Sequence, residues 1–344
     1  MRYIPRILAA ITILASASCS NDNSNKQQDT PIAKNETYTN PVIEYDAPDP
    51  SVILADDGYY YLYSTGHGYS IFRSKNLVDW DRVGSVFNDE TWPAAVRNNR
   101  KGDLWAPEIR RIAGKYVIFY TLWFGDVKYS LIGYATADSP QGPFTDKGIL
   151  IDSQEIGVEQ SIDQFYFEDE GQPWIFWGSF RNLYAMQLDV TDNAVITPKP
   201  ETKQLFAGTA FEGTTIHKHN GWYYFIASTG DFSGGTNSTY RTVMARSKNL
   251  LGPYLDKNGQ NILDNGFSLL LDKSDNFSGP GHNANLIEDA EGRTWMLYHA
   301  YDNSKPDAGR LGMLDEIIWD DNGWPLIAGG RPSNVAKRPS TTSK

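Results

Sequence analysis

A turn signal followed by a short aromatic and β-prone run recurs five times along the chain. The turn glycines are spaced by 56, 57, 50 and 71 residues, and they are Gly58, Gly114, Gly171, Gly221 and Gly292. Turn residues separate the runs, and almost no stretch shows an apolar period of 3.6 residues. This pattern predicts an all-β protein.

The regular recurrence predicts how the strands are organised. Five repeats of roughly four strands indicate a five-bladed β-propeller. After three of the aromatic runs comes a further echo, and two of its copies share the sequence Arg-Ser-Lys-Asn-Leu, at 73–77 and 246–250. An array of β-sandwiches is the alternative, but no linker-like stretch divides the repeats. We therefore predict one propeller domain at 41–332 and a C-terminal tail at 333–344.

A polar or ionisable side chain precedes each turn glycine at a similar distance. In a propeller the innermost strand of each blade lines the central channel, so residues at one phase of five such strands converge at its mouth. Turn capping is the alternative for any one of them, but several clustered carboxylates cost stability and indicate a function. The predicted pocket consists of Asp49, Glu108, Asp163, Glu212 and His282, with Trp105 at its side.

The charge of the chain argues against nucleic acid as a partner. The chain has 31 Lys+Arg against 42 Asp+Glu, a net charge of -11, and no long basic cluster that would attract a polyphosphate backbone. A neutral or weakly charged substrate fits better.

Several enzyme classes lack their usual motifs in this sequence. The nucleophile elbow Gly-x-Ser-x-Gly in a strand-to-helix setting, His-Glu-x-x-His and the phosphate-binding loop are absent, and the sole cysteine is Cys19. Carboxylates in a setting of 10 Trp and 20 Tyr remain. Indole and phenol faces suit stacking on sugar rings, with Trp105 and Trp123 as candidate platforms. Cleavage of a glycosidic bond needs one carboxylic acid and one carboxylate, which this set can supply.

Five short motifs carry a family resemblance. They lie at 49–53 (Asp-Pro-Ser-Val-Ile), 104–109 (Leu-Trp-Ala-Pro-Glu-Ile), 161–163 (Ser-Ile-Asp), 212–213 (Glu-Gly) and 279–283 (Gly-Pro-Gly-His-Asn). Together they resemble glycoside hydrolase family 43, the five-bladed propeller enzymes that act on arabinan, xylan and related plant polysaccharides. The resemblance covers nearly all of 46–325.

The resemblance implies a role for four of these residues. Asp49 matches the general base that activates water, Asp163 the residue that tunes and orients the acid, and Glu212 the general acid. The family inverts configuration, which implies a base-to-acid separation of roughly 6.5–9.5 Å. His282 matches the histidine that holds a metal, usually calcium, near the channel axis through ordered water. The alternative for His282 is a structural role within its glycine-rich turn.

Further stretches at 64–75, 251–259 and 298–302 resemble the α-1,5-L-arabinanases. Arabinan is therefore the first expected substrate, and arabinoxylan the other candidate polysaccharide. Ala47-Pro48 precedes Asp49 where endo-acting arabinanases often carry His, and Gln164 stands where Pro often follows the third-blade Asp. Exo action as an α-L-arabinofuranosidase, β-xylosidase activity and a non-catalytic carbohydrate-binding propeller stay open as alternatives.

The first residues resemble a bacterial lipoprotein signal. Arg2 and Arg6 precede an apolar run at 7–14 that is too short to span a bilayer, and small residues lead into Cys19. We predict a signal peptide at 1–18, acylation of Cys19 and a flexible polar tether at 19–40. An ordinary cleavage site is the alternative. The protein is therefore predicted to be held by a lipid anchor at the bacterial outer membrane or cell surface.

Overall fold

The computed structural model describes Met1 and residues 36–95 and 102–341. The predicted signal peptide beyond Met1, Cys19 and the predicted tether up to residue 35 lie outside this range. Within it, no helix is long and apolar enough to cross a bilayer.

Strands dominate the described residues, and four-stranded antiparallel sheets follow one another along the chain. The first two strands, β1 (Thr37–Thr39) and β2 (Ile43–Asp46), pair with segments near the other end. Blade 1 then consists of β3 (Ser51–Leu54), β4 (Tyr60–Ser64), β5 (Ser70–Ser74) and β6 (Trp80–Ser85), and blade 2 of β7 (Asp103–Ile112), β8 (Lys115–Phe124), β9 (Tyr129–Ala137) and β10 (Thr145–Asp152).

Blades 3 and 4 repeat the pattern with one variation. In blade 3 the third strand pairs with two short strands instead of one. Its members are β11 (Phe165–Asp169), β12 (Gln172–Trp177), β13 (Leu183–Val190), β14 (Ile196–Pro198) and β15 (Gln204–Ala207), and those of blade 4 are β16 (Glu212–His219), β17 (Trp222–Thr229), β18 (Arg241–Ser247) and β19 (Ser268–Leu271).

The fifth blade is completed by the N-terminal part of the chain. Its own strands are β20 (Phe277–Gly281), β21 (Ile287–Glu288), β22 (Thr294–Asp302), β23 (Leu311–Trp319) and β24 (Pro325–Leu326). Strand β2 adds to β23 as the outermost strand, and β1 pairs with β25 (Val335–Lys337). The Asn40 side chain joins the two ends, because it accepts from the Leu314 N–H at 3.0 Å and donates to the Leu314 carbonyl at 2.9 Å and to the Ser333 carbonyl at 3.1 Å.

Helical segments are short and lie in the connections. The one α-helix, among the residues described, is α1 (Ser153–Ile156), capped by the Asp152 carboxylate. Single 3₁₀ turns are Gly125–Val127, Pro200–Thr202, Gly235–Asn237, Ile262–Asp264 and Ala328–Gly330.

Five apolar clusters fill the gaps between blades, and each draws its side chains from two neighbouring blades. Tyr61 and Tyr63 of β4 face blade 2, whereas Tyr60 and Leu62 face blade 5, where Trp295 is fully buried. The other three clusters join blades 2 and 3, 3 and 4, and 4 and 5. Both faces of each blade are therefore buried, and the ring is closed. The predicted all-β five-bladed propeller is confirmed. The predicted range 41–332 leaves out β1 and β25.

Candidate active site

One residue at the inner edge of each blade adopts the left-handed backbone conformation. L-residues other than glycine, asparagine and aspartate rarely adopt it, because Cβ crowds the backbone. In blades 2 and 4 the register between the first and second strands shifts at this point. The residues and φ angles are Asp49 (53°), Ala106 (43°), Asp163 (55°), Gly213 (57°) and His282 (45°). These five positions are thus the true structural equivalents around the ring.

In blade 2 the structure differs from the sequence prediction, which had placed Glu108 at the position equivalent to Asp49. Ala106, two residues earlier, is the counterpart of Asp49, so Glu108 lies one layer deeper in the channel. Ser51 Oγ donates to Glu108 Oε2 at 2.7 Å, and Arg110 Nη2 lies 2.5 Å from Glu108 Oε1. Glu108 is 4% exposed and is absent from the lining of the cavity at the mouth. The prediction that Glu108 binds substrate therefore has no support in this placement, because its carboxylate is already paired.

A cavity of about 490 Å³ lies at the mouth of the channel, and all five blades contribute to it. The structure brings the other six predicted site residues into its wall, namely Asp49, Trp105, Trp123, Asp163, Glu212 and His282. The other residues of the wall were not predicted from the sequence, and they are Thr65, Gln160, Ile162, Ser179, Phe180, Arg181, Phe232 and Arg310. The cavity therefore combines buried carboxylates with aromatic surfaces.

Arg310 is the main missed residue, because it contacts Asp49. Its Nη1 lies 2.9 Å from Asp49 Oδ1, and both side chains are largely buried. The Asp49 N–H donates to His299 Nδ1 at 3.1 Å, which requires that the His299 proton sits on Nε2. Arg310 follows Gly309 in a loop outside the repeat, so no periodic signal marks it. His299 lies in the motif 298–302, which suggested a family resemblance but no role.

Arg310 keeps Asp49 ionised. Burial alone would raise the pKa of Asp49, but the charge of Arg310, the largest opposing contribution, holds this pKa well below its usual range. Burial also lowers the pKa of His282 and that of His299. Since both imidazoles are then neutral, the guanidinium is the group that supplies the positive charge. Asp49 is suited to accept a proton.

Asp163 and Glu212 have the opposite electrostatic setting. Burial raises the pKa of Glu212 to about 7, against a hydrogen bond that Ser179 Oγ donates to its Oε2 at 2.7 Å. Burial, followed by the charges of Glu212 and Asp49, raises the pKa of Asp163 well above its usual range. The Gly213 N–H donates to Asp163 Oδ2 at 3.2 Å, which fixes Asp163 beside Glu212. The pair retains a proton at neutral pH, so Glu212 is suited to donate one.

Two indole rings form an aromatic surface on one side of the cavity. Trp105 and Trp123 stack with ring centroids 5.4 Å apart and planes inclined by 20°. They stand on the neighbouring strands β7 and β8, whose antiparallel pairing sets Trp105 opposite Thr121 and Trp123 opposite Asp103. Phe232 lies elsewhere in the cavity wall, with the Arg310 guanidinium 5.4 Å from its ring centre. Stacked and edge-accessible rings of this kind suit the apolar faces of sugars.

A small space beneath His282 is the candidate cation site of the propeller. A cavity of about 20 Å³ lies there on the axis, lined from all five blades. Two buried oxygens in its wall, Thr214 Oγ1 and Asn283 Oδ1, accept no hydrogen bond among the described residues, whereas Glu108 Oε1 in the same wall is paired with Arg110. Hard cations such as calcium prefer oxygen ligands, and water can complete their shell. The donor set therefore fits one small hydrated cation. However, no cluster of three His, Cys, Asp or Glu side chains arranged for direct metal binding occurs at 36–95 and 102–341.

A closed propeller with one ionised and two proton-sharing carboxylates in an aromatic-walled cavity has the features of a glycoside hydrolase. Residues 38–325 match the profile of Glycosyl hydrolases family 43, and the chain belongs to this family.

Relatives of known activity share most of their length with this chain. The extracellular exo-α-(1→5)-L-arabinofuranosidase of Cellvibrio japonicus is 32% identical over 305 residues, which cover 83% of this chain and 87% of the relative. The extracellular endo-α-(1→5)-L-arabinanase 1 of Bacillus subtilis is 30% identical over 288 residues, covering 80% and 86%. The solved complex of a Cellvibrio cellulosa α-L-arabinanase with arabinohexaose is 27% identical, with a TM-score of 0.70 and coverage of 82% and 95%.

The contact between Arg310 and Asp49 generates a prediction for the pH dependence of kcat/KM. In the wild type the alkaline limb should lie near pH 7, where Glu212 loses its proton, and Asp49 should stay ionised to low pH. Replacing Arg310 with Gln removes the charge that lowers the pKa of Asp49. The acid limb should therefore move to higher pH, as measured from pH profiles on a chromogenic glycoside.

Arg310→Lys is the matched control, because it keeps a positive charge and should leave more of the acid limb in place. An acid limb that is identical in the wild type and Arg310→Gln would show that Arg310 does not set the protonation of Asp49.

Proposed function

We propose that this enzyme hydrolyses α-1,5-linked L-arabinan with inversion of configuration. The observation that carries the proposal is the opposite protonation of carboxylates in one cavity. Asp49 is held ionised by Arg310, whereas burial raises the pKa of Glu212 to about 7. The substrate class is inferred from the relatives, which are named for activity on α-(1→5)-L-arabinan and, in one solved complex, hold arabinohexaose.

The proposed reaction is a single displacement. Asp49 takes a proton from a water molecule as the water oxygen bonds to the anomeric carbon. The bond from that carbon to the glycosidic oxygen breaks, and Glu212 donates its proton to the departing oxygen. The products are a free sugar hydroxyl and a hemiacetal of inverted configuration. Asp49 is then protonated and Glu212 ionised, and exchange with solvent restores both.

Asp163 is proposed to orient and tune Glu212. Its Oδ2 accepts from the backbone N–H of Gly213, directly after the proposed acid. Ionisation of both carboxyl groups at once is disfavoured in this buried pair, so Asp163 and Glu212 together retain a proton at neutral pH. The stacked Trp105 and Trp123 are proposed to bind a sugar ring of the substrate.

Exo action is the second candidate. The relative from Cellvibrio japonicus is named as an exo-acting arabinofuranosidase, whereas the one from Bacillus subtilis is named as an endo-acting arabinanase. In both modes Glu212 acts as the acid and Asp49 as the base, and the bond that breaks is an α-1,5 glycosidic bond. The difference lies in whether the substrate chain continues past the cavity on both sides.

We predict separate signatures for the proposed base and acid. Asp49→Asn and Glu212→Gln should each lower kcat on linear arabinan by roughly 10²–10⁴. Asn is chosen at position 49 because it tolerates the left-handed backbone there. On an aryl arabinofuranoside with an acidic phenol as leaving group, Glu212→Gln should lose much less activity, because the departing oxygen needs little protonation. Asp49→Asn should be impaired on both substrates.

Glu44→Gln, at an exposed carboxylate of β2, is the control and should retain wild-type rates. Product analysis in the same assays separates endo from exo action, since a ladder of oligosaccharides means endo and arabinose alone from the outset means exo. Near wild-type turnover of Asp49→Asn or Glu212→Gln on arabinan would exclude the proposed roles. Binding of arabinan without new reducing ends would instead favour a non-catalytic propeller.

We propose that the protein is exported and anchored through a lipid on Cys19. The support is the signal-like sequence at 1–19 and the fact that two relatives are named extracellular. Cys19→Ser should move the protein from the membrane fraction of a bacterial host to its soluble fraction, as measured by immunoblot. Equal membrane partition of both forms would exclude acylation of Cys19.

We further propose that the axial cavity beneath His282 holds calcium through water. The two unpaired oxygens in its wall, Thr214 Oγ1 and Asn283 Oδ1, support an oxygen-liganded cation, which would add positive charge below the carboxylates. Removal of metal with a chelator should lower the thermal midpoint, and calcium should restore it more fully than magnesium, whose preferred coordination shell is tighter. An unchanged midpoint after verified metal removal would rule the ion out as a structural element.

A further inference from the structure

A second cavity, of about 500 Å³, lies on the face of the propeller opposite the candidate active site. Strand β16 starts with Glu212 at the mouth, and its last residue, His219, pairs with Trp222 in the cavity wall. Seven residue steps at roughly 3.3 Å put Trp222 about 23 Å along the strand from Glu212. Trp324, directly before β24 of blade 5, completes the wall. The two cavities are therefore separate.

The wall of this cavity holds its cations in fixed positions. The Arg246 guanidinium lies 4.2 Å from the ring centre of Trp222 and 4.1 Å from that of Trp324. Lys248 Nζ lies 3.7 Å from the ring centre of Trp222. Contact with an indole face attracts a cation and restricts a flexible side chain, so less conformational entropy is lost when a ligand binds.

Two of the three cations in this wall, Arg246 and Lys248, are not neutralised by a carboxylate of the described residues. Arg246 Nη1 donates to the Asn322 carbonyl at 2.7 Å and Lys248 Nζ to the Gly221 carbonyl at 3.2 Å, and in the described part of the chain neither forms an ion pair. Lys257, the third cation of the wall, forms a long ion pair with Asp320, with its Nζ 4.0 Å from Asp320 Oδ2. The one carboxylate in the lining, Asp256, is buried and accepts two backbone N–H groups.

The repeated sequence Arg-Ser-Lys-Asn-Leu provides an internal comparison. In blade 1, Arg73 and Lys75 lie 4.6 and 4.9 Å from the ring centre of Tyr59, as Arg246 and Lys248 do at Trp222. The blade 1 cavity, however, is lined by one cation and four carboxylates, namely Lys75 with Asp56, Asp57, Glu288 and Asp289. The blade 4 cavity is lined by three cations and one carboxylate. The repeat thus explains the stacked cations, but it does not explain the positive charge of the blade 4 site.

We propose that the groove between Trp222, Arg246, Lys248 and Trp324 binds a carboxylated sugar, a uronate unit of a plant polysaccharide. A chain of net charge -11 repels anions in general, so an anion binds only where local cations are concentrated. The carboxylate would pair with Lys248 and the free N–H groups of Arg246, and the sugar hydroxyls with polar groups such as Asn249. The polysaccharide setting rests on the proposed function. The site would hold the acidic part of a polymer while neutral side chains reach the catalytic cavity.

The test is calorimetric titration of the full-length protein with a galacturonate oligosaccharide. Lys248→Glu should weaken binding about tenfold or more, as expected for loss of one charge-assisted hydrogen bond. Binding should also weaken as sodium chloride rises. Lys75→Glu, the same change at the equivalent position of blade 1, is the matched control and should bind as the wild type does. Hydrolysis of a short neutral arabino-oligosaccharide should be unchanged in both variants.

Three results would overturn the proposal. The first is that the wild type does not bind the galacturonate oligosaccharide. The second is that Lys248→Glu and Lys75→Glu weaken its binding equally. The third is that inorganic phosphate competes for the site as strongly as the oligosaccharide does, which would mean a general anion site. Failure of the proposed function is seen separately, because uronate binding is measured without turnover and arabinan hydrolysis without uronate.

Discussion

The structure depends on closure of the ring, because a blade buries both of its faces only when it has a neighbour on each side. Tyr60 and Tyr61 are adjacent in β4 and point into different gaps, one towards blade 5 and the other towards blade 2. Without the contact between the last and first blades, Trp295 and Phe72 would be exposed to water. The free energy gained from apolar burial, roughly 25 cal/mol per Å², therefore depends on completing the circle.

Closure also creates the candidate active site. Asp49, Asp163 and Glu212 are far apart in sequence and become neighbours because each stands at the inner edge of its own blade. The left-handed residue lies at or close to the start of the inner strand in blades 1 to 4 and directly after β20 in blade 5. Ala106 and His282 adopt this conformation despite their Cβ atoms, at a cost of order 1–3 kcal/mol each. The packing of the surrounding blades holds these residues in the strained conformation. The carboxylates beside them are buried together at the mouth of the channel and differ in protonation state.

Much of this arrangement was predictable from local sequence. The recurring turn glycines and aromatic runs predicted five β-units, and ring geometry then predicted the convergence of Asp49, Asp163, Glu212 and His282. The position of Glu108 was not predictable from its distance to the turn glycine, because the equivalent residue of blade 2 is Ala106, and an alanine gives no sequence signal for a left-handed backbone. Arg310 was missed because its loop does not repeat. Strands β1 and β25 have three residues each and pair across the whole chain, so nothing local marks them.

The pairing of β2 with β23 also affects how the chain can fold as it is made. Asn40 and its partner Leu314 are 274 positions apart, so the early strand has no native neighbour until nearly all of the polypeptide has been synthesised. Domains that fold during translation normally use contacts within the emerged segment. Here the fifth blade can be completed only when β2, from the start of the chain, and β23, from near its end, are both available. Closure of the ring is therefore a late event of folding, and it cannot precede the synthesis of the last blade.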